Sequence, residues 1–322
     1  MVISELTSKW ENVNLFQSRK GYKALRISSS CKSELYIATG KDGYRCLLLF
    51  LPVNSELKIK GADRNKLSLS FLPQKNVLII SLKDPEFIDL FNDLILSLYS
   101  KIWSIEDTNE SSQELIYSFY KWADFFEKSN EQRLSEEQIM GLFGELFVLK
   151  ELLYDSTHLN VNSILNSWRG PFGSGHDFEF DNKNVEVKTK KESKSVVYIS
   201  SEFQLEKEFD KGLELLILSI KIDLTNGESL FVLISKCIKL IQNNIGDLTI
   251  LYKALKEIGL SVETAKEYNN SRFTVLTSKS YDCCMKGFPK LSKSNVPGEI
   301  TSLRYKLRVN SLSSYLLNEK KY

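Results

Sequence analysis

The segment HDFEFDNKNVEVKTKK, residues 176–191, alternates charged or polar side chains with hydrophobic ones on both sides of a short polar break. Strict alternation of this kind separates two sets of side chains only on paired β-strands, where successive residues point to opposite faces. With Asn182 and Lys183 as a two-residue turn, residue 180 faces 185, 179 faces 186, 178 faces 187 and 177 faces 188. Asp177, Glu179, Glu186 and Lys188 then share one face, and Phe178, Phe180, Val185 and Val187 share the other. The apolar face turns to a core. On the charged face Glu179 opposes Glu186, a like-charge pair that weakens a hairpin unless something compensates. A hard divalent cation such as Mg²⁺, with Mn²⁺ as a substitute, does so: it takes oxygen ligands, needs one or two carboxylates and keeps waters that can become nucleophiles. An ordinary half-exposed ribbon satisfies the same spacing, so the surroundings have to decide.

Upstream, LSEEQIMGLFGELFVLKELL (134–153) opens with Ser135 and Gln138 in capping-box spacing and continues as an amphipathic helix. Glu145 lies on its Gln138, Leu142, Leu149 and Leu152 face, a carboxylate among leucines that calls for a cation, a donor or water. Downstream come a third strand, SVVYISSEFQL (195–205), a polar link and an apolar strand, LELLILSIKI (213–222). Helix, three strands, connection and strand is the order that a metal-dependent nuclease core requires.

These residues resemble the PD-(D/E)XK nuclease superfamily, with Asp177 as the D and Glu186-Val187-Lys188 as the ExK. The string from GLFGELFVLKELL through WRGP, HDFEF and VEVKT to ISSEFQL is similar, more narrowly, to a bacterial branch of that superfamily, a domain of unknown function found among restriction and phage-defence genes. His176 stands where the motif's name would put proline, and because it alternates onto the Phe178 face it reads as a structural histidine. The resemblance implies that Asp177 and Glu186 ligate the metal with Glu145 as accessory helix carboxylate, and that Lys188 polarises the attacking water. It also implies a polar active-site or backbone-contacting role for Gln204. Lys190 shares the strand face of Lys188, so it is a candidate phosphate contact or a solvated lysine. Trp168 and Arg169 stand before a Gly-Pro turn, either to clamp nucleic acid or to anchor a loop.

Residues 1–82 read as a β-rich domain: YKALRIS, ELYIATG, GYRCLLLFLP, SELKIK, KLSLSFLP and NVLIISL, with GKDG (40–43) as a hairpin turn. Asp84 and Pro85 supply the start of a helix, a second helix covers about 112–127, and together residues 83–130 form a helical connector. Residues 131–322 hold the nuclease-like domain, with two later helices, SLFVLISKCIKLIQ and LTILYKALKEIG, and a basic C-terminal extension. The expected fold class is therefore α/β, a mixed sheet flanked by helices with a β-rich N-terminal domain.

The net charge of +2 conceals segregation: +7 over residues 1–80, −9 over 81–153, −3 over 154–270 and +7 over 271–322. Basic ends suit a polyanion or merely water, and Arg304, Lys306 and Arg308 line one face of a strand. Five cysteines without CxxC spacing suggest neither a disulfide framework nor a zinc site, and no run approaches the roughly 20 apolar residues of a membrane span. A cytoplasmic protein is expected. GPFGSG (170–175) lacks the GK[ST] of a phosphate loop and reads as a flexible loop beside the site, while two histidines and no GxSxG or HExxH disfavour hydrolase triads and zinc peptidases. The function expected is Mg²⁺-dependent hydrolysis of DNA in a restriction or phage-defence system, with other defence subunits as possible partners. A silent nuclease-fold subunit that binds DNA or assembles a defence complex is the alternative, and a scaffold without a nucleic-acid role the more distant one.

Overall fold

A computed structural model describes residues 1–15, 22–40, 43–52, 61–126, 133–300 and 302–322. Two compact units divide the chain: residues 1–129 with 247–249, and residues 130–246 with 250–322.

The first unit begins with α1 (Ile3–Leu15), which the strand patterns that follow do not foretell. Leu6, Trp10 and Val13 are its buried positions among the described side chains, one per turn among polar residues, and the Trp10 indole donates to Asn92 Oδ1 at 2.9 Å. The strands are β1 (Lys23–Arg26), β2 (Leu35–Thr39), β3 (Arg45–Phe50), β4 (Ala62–Asp63), β5 (Leu67–Leu72) and β6 (Val77–Leu82), antiparallel in the order β1-β2-β3-β6-β5-β4. The central strands β3 and β6 read as unbroken apolar runs because both of their faces are buried. SELKIK and the middle of GKDG lie outside the described residues, although Gly43 N donates to Gly40 O and Gly40 N to Tyr44 O.

Asp84 accepts from Glu86 N at 3.0 Å ahead of Pro85, and the short 3-10 turn there leads into α2 (Ile88–Ile102). Helix α3 (Thr108–Ala123) is capped by Asp107, which accepts from Asn109 N at 2.7 Å. Both helices belong to the first unit, so residues 83–126 are part of its body where the sequence suggested a connector.

In the second unit the expected capping box forms at the start of α4 (Glu136–Tyr154): Gln138 N donates to Ser135 Oγ, and Ser135 N to Gln138 Oε1. There follow α5 (Val161–Ser167), β7 (Phe178–Glu179), β8 (Lys183–Lys191), β9 (Val196–Ile199), β10 (Gly212–Ile222), α6 (Leu230–Asn243), α7 (Leu248–Glu257), α8 (Val262–Ala265), β11 (Phe273–Asp282), β12 (Tyr305–Arg308) and β13 (Leu316–Lys321). The main sheet runs β13-β11-β10-β8-β7 and is mixed, with β8 and β10 parallel and the other pairs antiparallel. Helix α4 packs on β8 and α6. At Gly144 a Cβ would overlap Thr189 Oγ1, so the helix comes this close to the sheet only because that position has no side chain.

Two expectations are corrected here. The third strand is shorter than 195–205 and is not in the main sheet: β9 pairs with β12 in a separate two-stranded ribbon. The place beside β8 goes to β10, whose nearly continuous apolar run suits a strand covered on both faces, whereas β9 is buried on one face only. The hairpin turn is also one residue earlier. Phe178 pairs with Val185 and Glu179 with Asn184, which leaves Asp181 and Asn182 for the turn. Strand β10 explains the shift: Gly212 pairs with Lys183, Gly212 N donates to Asn182 O at 2.9 Å and Lys183 Nζ reaches Glu214 at 2.7 Å, so Lys183 is drawn into the strand.

Candidate active site

The pairing differs from the expected one by two residues, and because the side-chain period is two the faces are preserved while the partners change. Glu179 stands across from Asn184, and by the same register Asp177 falls across from Glu186. The acid-against-acid conflict is therefore between the two motif residues. Glu179 turns away to Ser174 Oγ and to Arg169, whose Nε lies 3.9 Å from it.

Glu186 is 1% exposed, and Lys188 Nζ lies 2.7 Å from its Oε1. The ammonium is off the angles of a hydrogen bond, so this is an ion pair and the buried Oε1 has no aligned donor. Asp177 Oδ2 accepts from Val187 N at 2.8 Å, which ties the first motif residue to the strand bearing the other two. Glu145 Oε2 accepts from the Trp168 indole at 2.8 Å. Gly170 closes the group: a Cβ there would overlap Glu145 Oε2 and sit 3.0 Å from Asp177 Oδ1, so one small residue touches both carboxylates. Its backbone is fixed too, since Arg169 N and Gly170 N donate to Asp177 O at 2.7 and 3.1 Å. A cavity of about 310 Å³ adjoins Glu145, lined also by Gln138, Gly141, Leu142, Gly170 and Pro171.

Burial pushes the Glu145 carboxyl up to about 8, and the neighbouring Asp177 charge adds to the rise against the opposing Trp168 hydrogen bond and Lys188. Burial also raises Asp177, offset by Lys188 and by the Val187 N–H. Glu186 is held well above the ordinary range by burial and by Asp177, with Lys188 opposing. Three carboxyls thus share one ammonium, and burial dominates each of them.

Of the other sequence candidates, Lys190 follows Lys188 on the same face, with Nζ 2.9 Å from Ser219 Oγ. Arg169 lies with its guanidinium 5.3 Å from the Phe172 ring centre. Gln204 accepts from Ser200 N at 2.7 Å, closing a turn after β9; because β9 leaves the sheet, Gln204 belongs to the ribbon side and not to the carboxylate group. Arg304, Lys306 and Arg308 are exposed on or beside β12, also on the ribbon. His176 is buried between Glu206 O, 3.1 Å from Nε2, and the Asn184 side chain, 3.2 Å from Nδ1. It also lies near Glu179 and Glu208, but both carboxylates have protein partners, Ser174 and Lys211 respectively. Sequence reasoning missed Trp168 as the donor to Glu145 and Gly170 as the spacer. A tryptophan and a glycine two residues apart, just before the acidic hairpin, were the only signal.

A mixed sheet with an acid–acid–lysine set around the buried Glu186 and a helix carboxylate beside it defines a PD-(D/E)XK-like α/β protein. The family model described as "Putative PD-(D/E)XK family member, (DUF4420)" matches residues 6–310, and the chain belongs to that family. No curated protein and no solved structure matches it. Among the described residues no helix is long and apolar enough to cross a membrane.

Proposed function

We propose that the protein is a Mg²⁺-dependent DNA endonuclease, working in a bacterial restriction or phage-defence setting. The observation that carries this reading is Glu186, a fully buried carboxylate paired with Lys188 at 2.7 Å and opposed by Asp177. A site built for stability alone would not gather three acids, one of them fully buried, around one ammonium. The donor set fits a hard divalent ion: all candidate ligands are carboxylate oxygens, and one buried oxygen has no aligned donor.

Asp177 and Glu186 would hold the ion with Glu145 as the third carboxylate, and the ion when bound would polarise a phosphate oxygen and acidify a water. Lys188 orients that water and stabilises the negative charge that builds as its oxygen bonds to phosphorus and the P–O ester bond breaks. Below pH of about 8 Glu145 holds a proton, and with Oε2 engaged by Trp168 that proton belongs on Oε1. Arg169 and Lys190 flank the group as candidate phosphate contacts.

Two substitutions test this reading by differing in sign. Without metal, Asp177 and Glu186 repel a phosphate and Lys188 attracts it. Asp177→Ala should abolish Mg²⁺-dependent cleavage and leave metal-free DNA binding equal or tighter; Lys188→Ala should abolish cleavage and bind equally or more weakly. Loss of a single electrostatic stabiliser costs roughly 10² to 10³ in rate. The assay takes the purified protein alone and then with neighbouring gene products. Cleavage that survives both substitutions removes this site from catalysis.

A further inference from the structure

We propose that the β9–β12 ribbon is a platform for single-stranded nucleic acid: bases stack on Tyr198 and Phe203, and Lys293, Arg304, Lys306 and Arg308 hold the phosphates. This inference deepens the nuclease reading by assigning the form of the substrate.

Register divides the ribbon into two faces. Tyr305 pairs with Ile199, Lys306 with Tyr198, Leu307 with Val197 and Arg308 with Val196. Val197, Ile199 and Leu307 point inward and pack with Leu213, Leu215 and Ile217 of β10. Leu215 and Ile217 are the ladder partners of Glu186 and Lys188, so the ribbon covers the sheet face that bears the catalytic pair. Its outward face is therefore on that side of the domain.

That outward face is aromatic and basic. Tyr198 is 61% exposed and Phe203, in the turn that follows β9, is 46% exposed. Each ring has a cation over it, Lys306 Nζ at 5.2 Å from the Tyr198 centre and Lys293 Nζ at 5.7 Å from the Phe203 centre. Lys293 N donates to Glu202 O, which joins its segment to the Phe203 turn. The nearby acids are directed to backbone: Glu202 Oε2 accepts from Leu303 N at 3.3 Å, and Glu206 Oε2 from Ser294 N at 3.0 Å. Among the described residues none of the four cations has an ion pair.

Open rings interleaved with unpaired cations match a strand whose base faces are free, since every base has a π-face and stacking does not depend on sequence. A duplex hides those faces in its own stack and would leave both rings idle. Phosphate charge accounts for the cations but not for the rings, so the rings decide for a single strand.

The test uses the full chain without metal and reads fluorescence anisotropy with a labelled oligo-dT, an oligo-U and a DNA duplex. The expected result is tighter binding of a single strand than of the duplex. Comparison of oligo-dT with oligo-U tells whether the strand is DNA or RNA. Tyr198→Ala with Phe203→Ala should weaken single-strand binding by about tenfold or more and leave the salt slope unchanged. Lys306→Glu with Arg308→Glu should lower that slope by roughly 0.7 per lost phosphate contact. Both rings are exposed, so their removal spares the core. Tighter binding of the duplex, or unchanged affinity without the rings, overturns the platform. Because no metal is present, a failed cleavage assay bears on the proposed chemistry alone and leaves this result standing.

Discussion

The Trp168 indole donates to Glu145 Oε2 across 2.8 Å, joining the carboxylate of one helix to the chain that enters the acidic hairpin. Trp168 is itself fully buried and bridges to Phe178, so its position is set by the hairpin it serves. Trp168→Phe keeps most of the packing and removes the donor. The carboxyl should then hold its proton more tightly, and stability should fall by about 1–3 kcal/mol for an unsatisfied buried acceptor. Thermal denaturation measures the second effect, and a pH–rate profile displaced to higher pH the first. An unchanged profile would place Glu145 outside the catalytic group.

Stability should fall with rising pH across the range where Glu145 ionises. Its carboxyl is raised to about 8 from an ordinary value of 4.5, so the folded state binds more protons than the unfolded one between these limits. The stabilisation is fully present below about 4.5 and is lost as pH rises through about 8. Glu145→Gln should flatten that dependence and raise the melting temperature at pH 8. Added Mg²⁺ should raise the melting temperature of the wild type more at pH 8 than at pH 6, because ligation competes with protons.

Glu179 and Glu186 should behave as opposites. Glu179 faces Asn184 and leans to Arg169, whereas Glu186 is buried against Lys188. Glu179→Gln should leave cleavage within a few-fold of wild type. Glu186→Gln should abolish it without unfolding the protein, since the amide keeps the shape and Asp177 remains as a charge partner for Lys188. Paired activity and melting measurements on the two variants check this, and equal losses of activity would contradict the register.

Gly170→Ala should damage the site out of proportion to its size. The added methyl overlaps Glu145 Oε2 and crowds Asp177, while the backbone there is pinned by hydrogen bonds to Asp177 O. A fall in activity of tenfold or more is expected, with a loss of about 1–3 kcal/mol in stability for overpacking. Gly173→Ala, beside it but with open space around its Cβ, is strained only through its positive φ and should spare the chemistry.

Much of this architecture was legible in the residues because period and capping are local signals. Ser135 and Gln138 announced α4, Asp84 and Pro85 announced the turn into α2, and the alternation of 176–191 placed Asp177, Glu186 and Lys188 on one face. What escaped depends on partners distant in sequence. Nothing within 195–205 says that its strand will pair with residues 305–308 and not with the main sheet, and nothing around 182 says that Gly212 will draw Lys183 into β8. The short apolar set of α1 gave too weak a periodicity to stand out among strands. Trp168 escaped because the motif's letters mark the acids and the lysine and not the neutral donor that holds Glu145 in place.

The turn at Asp181 and Asn182 sets a parity rule on the length of this hairpin. With a two-residue turn kept, a change of two in the hairpin's length moves every cross-strand partner and keeps each side chain on its own face; a change of one would turn Asp177 to the other face of the sheet, because β8 is held along its whole length by β10 and the short β7 must yield. An even shift of this hairpin would change which carboxylates stand opposite one another without reversing the face that carries Asp177 and Glu186.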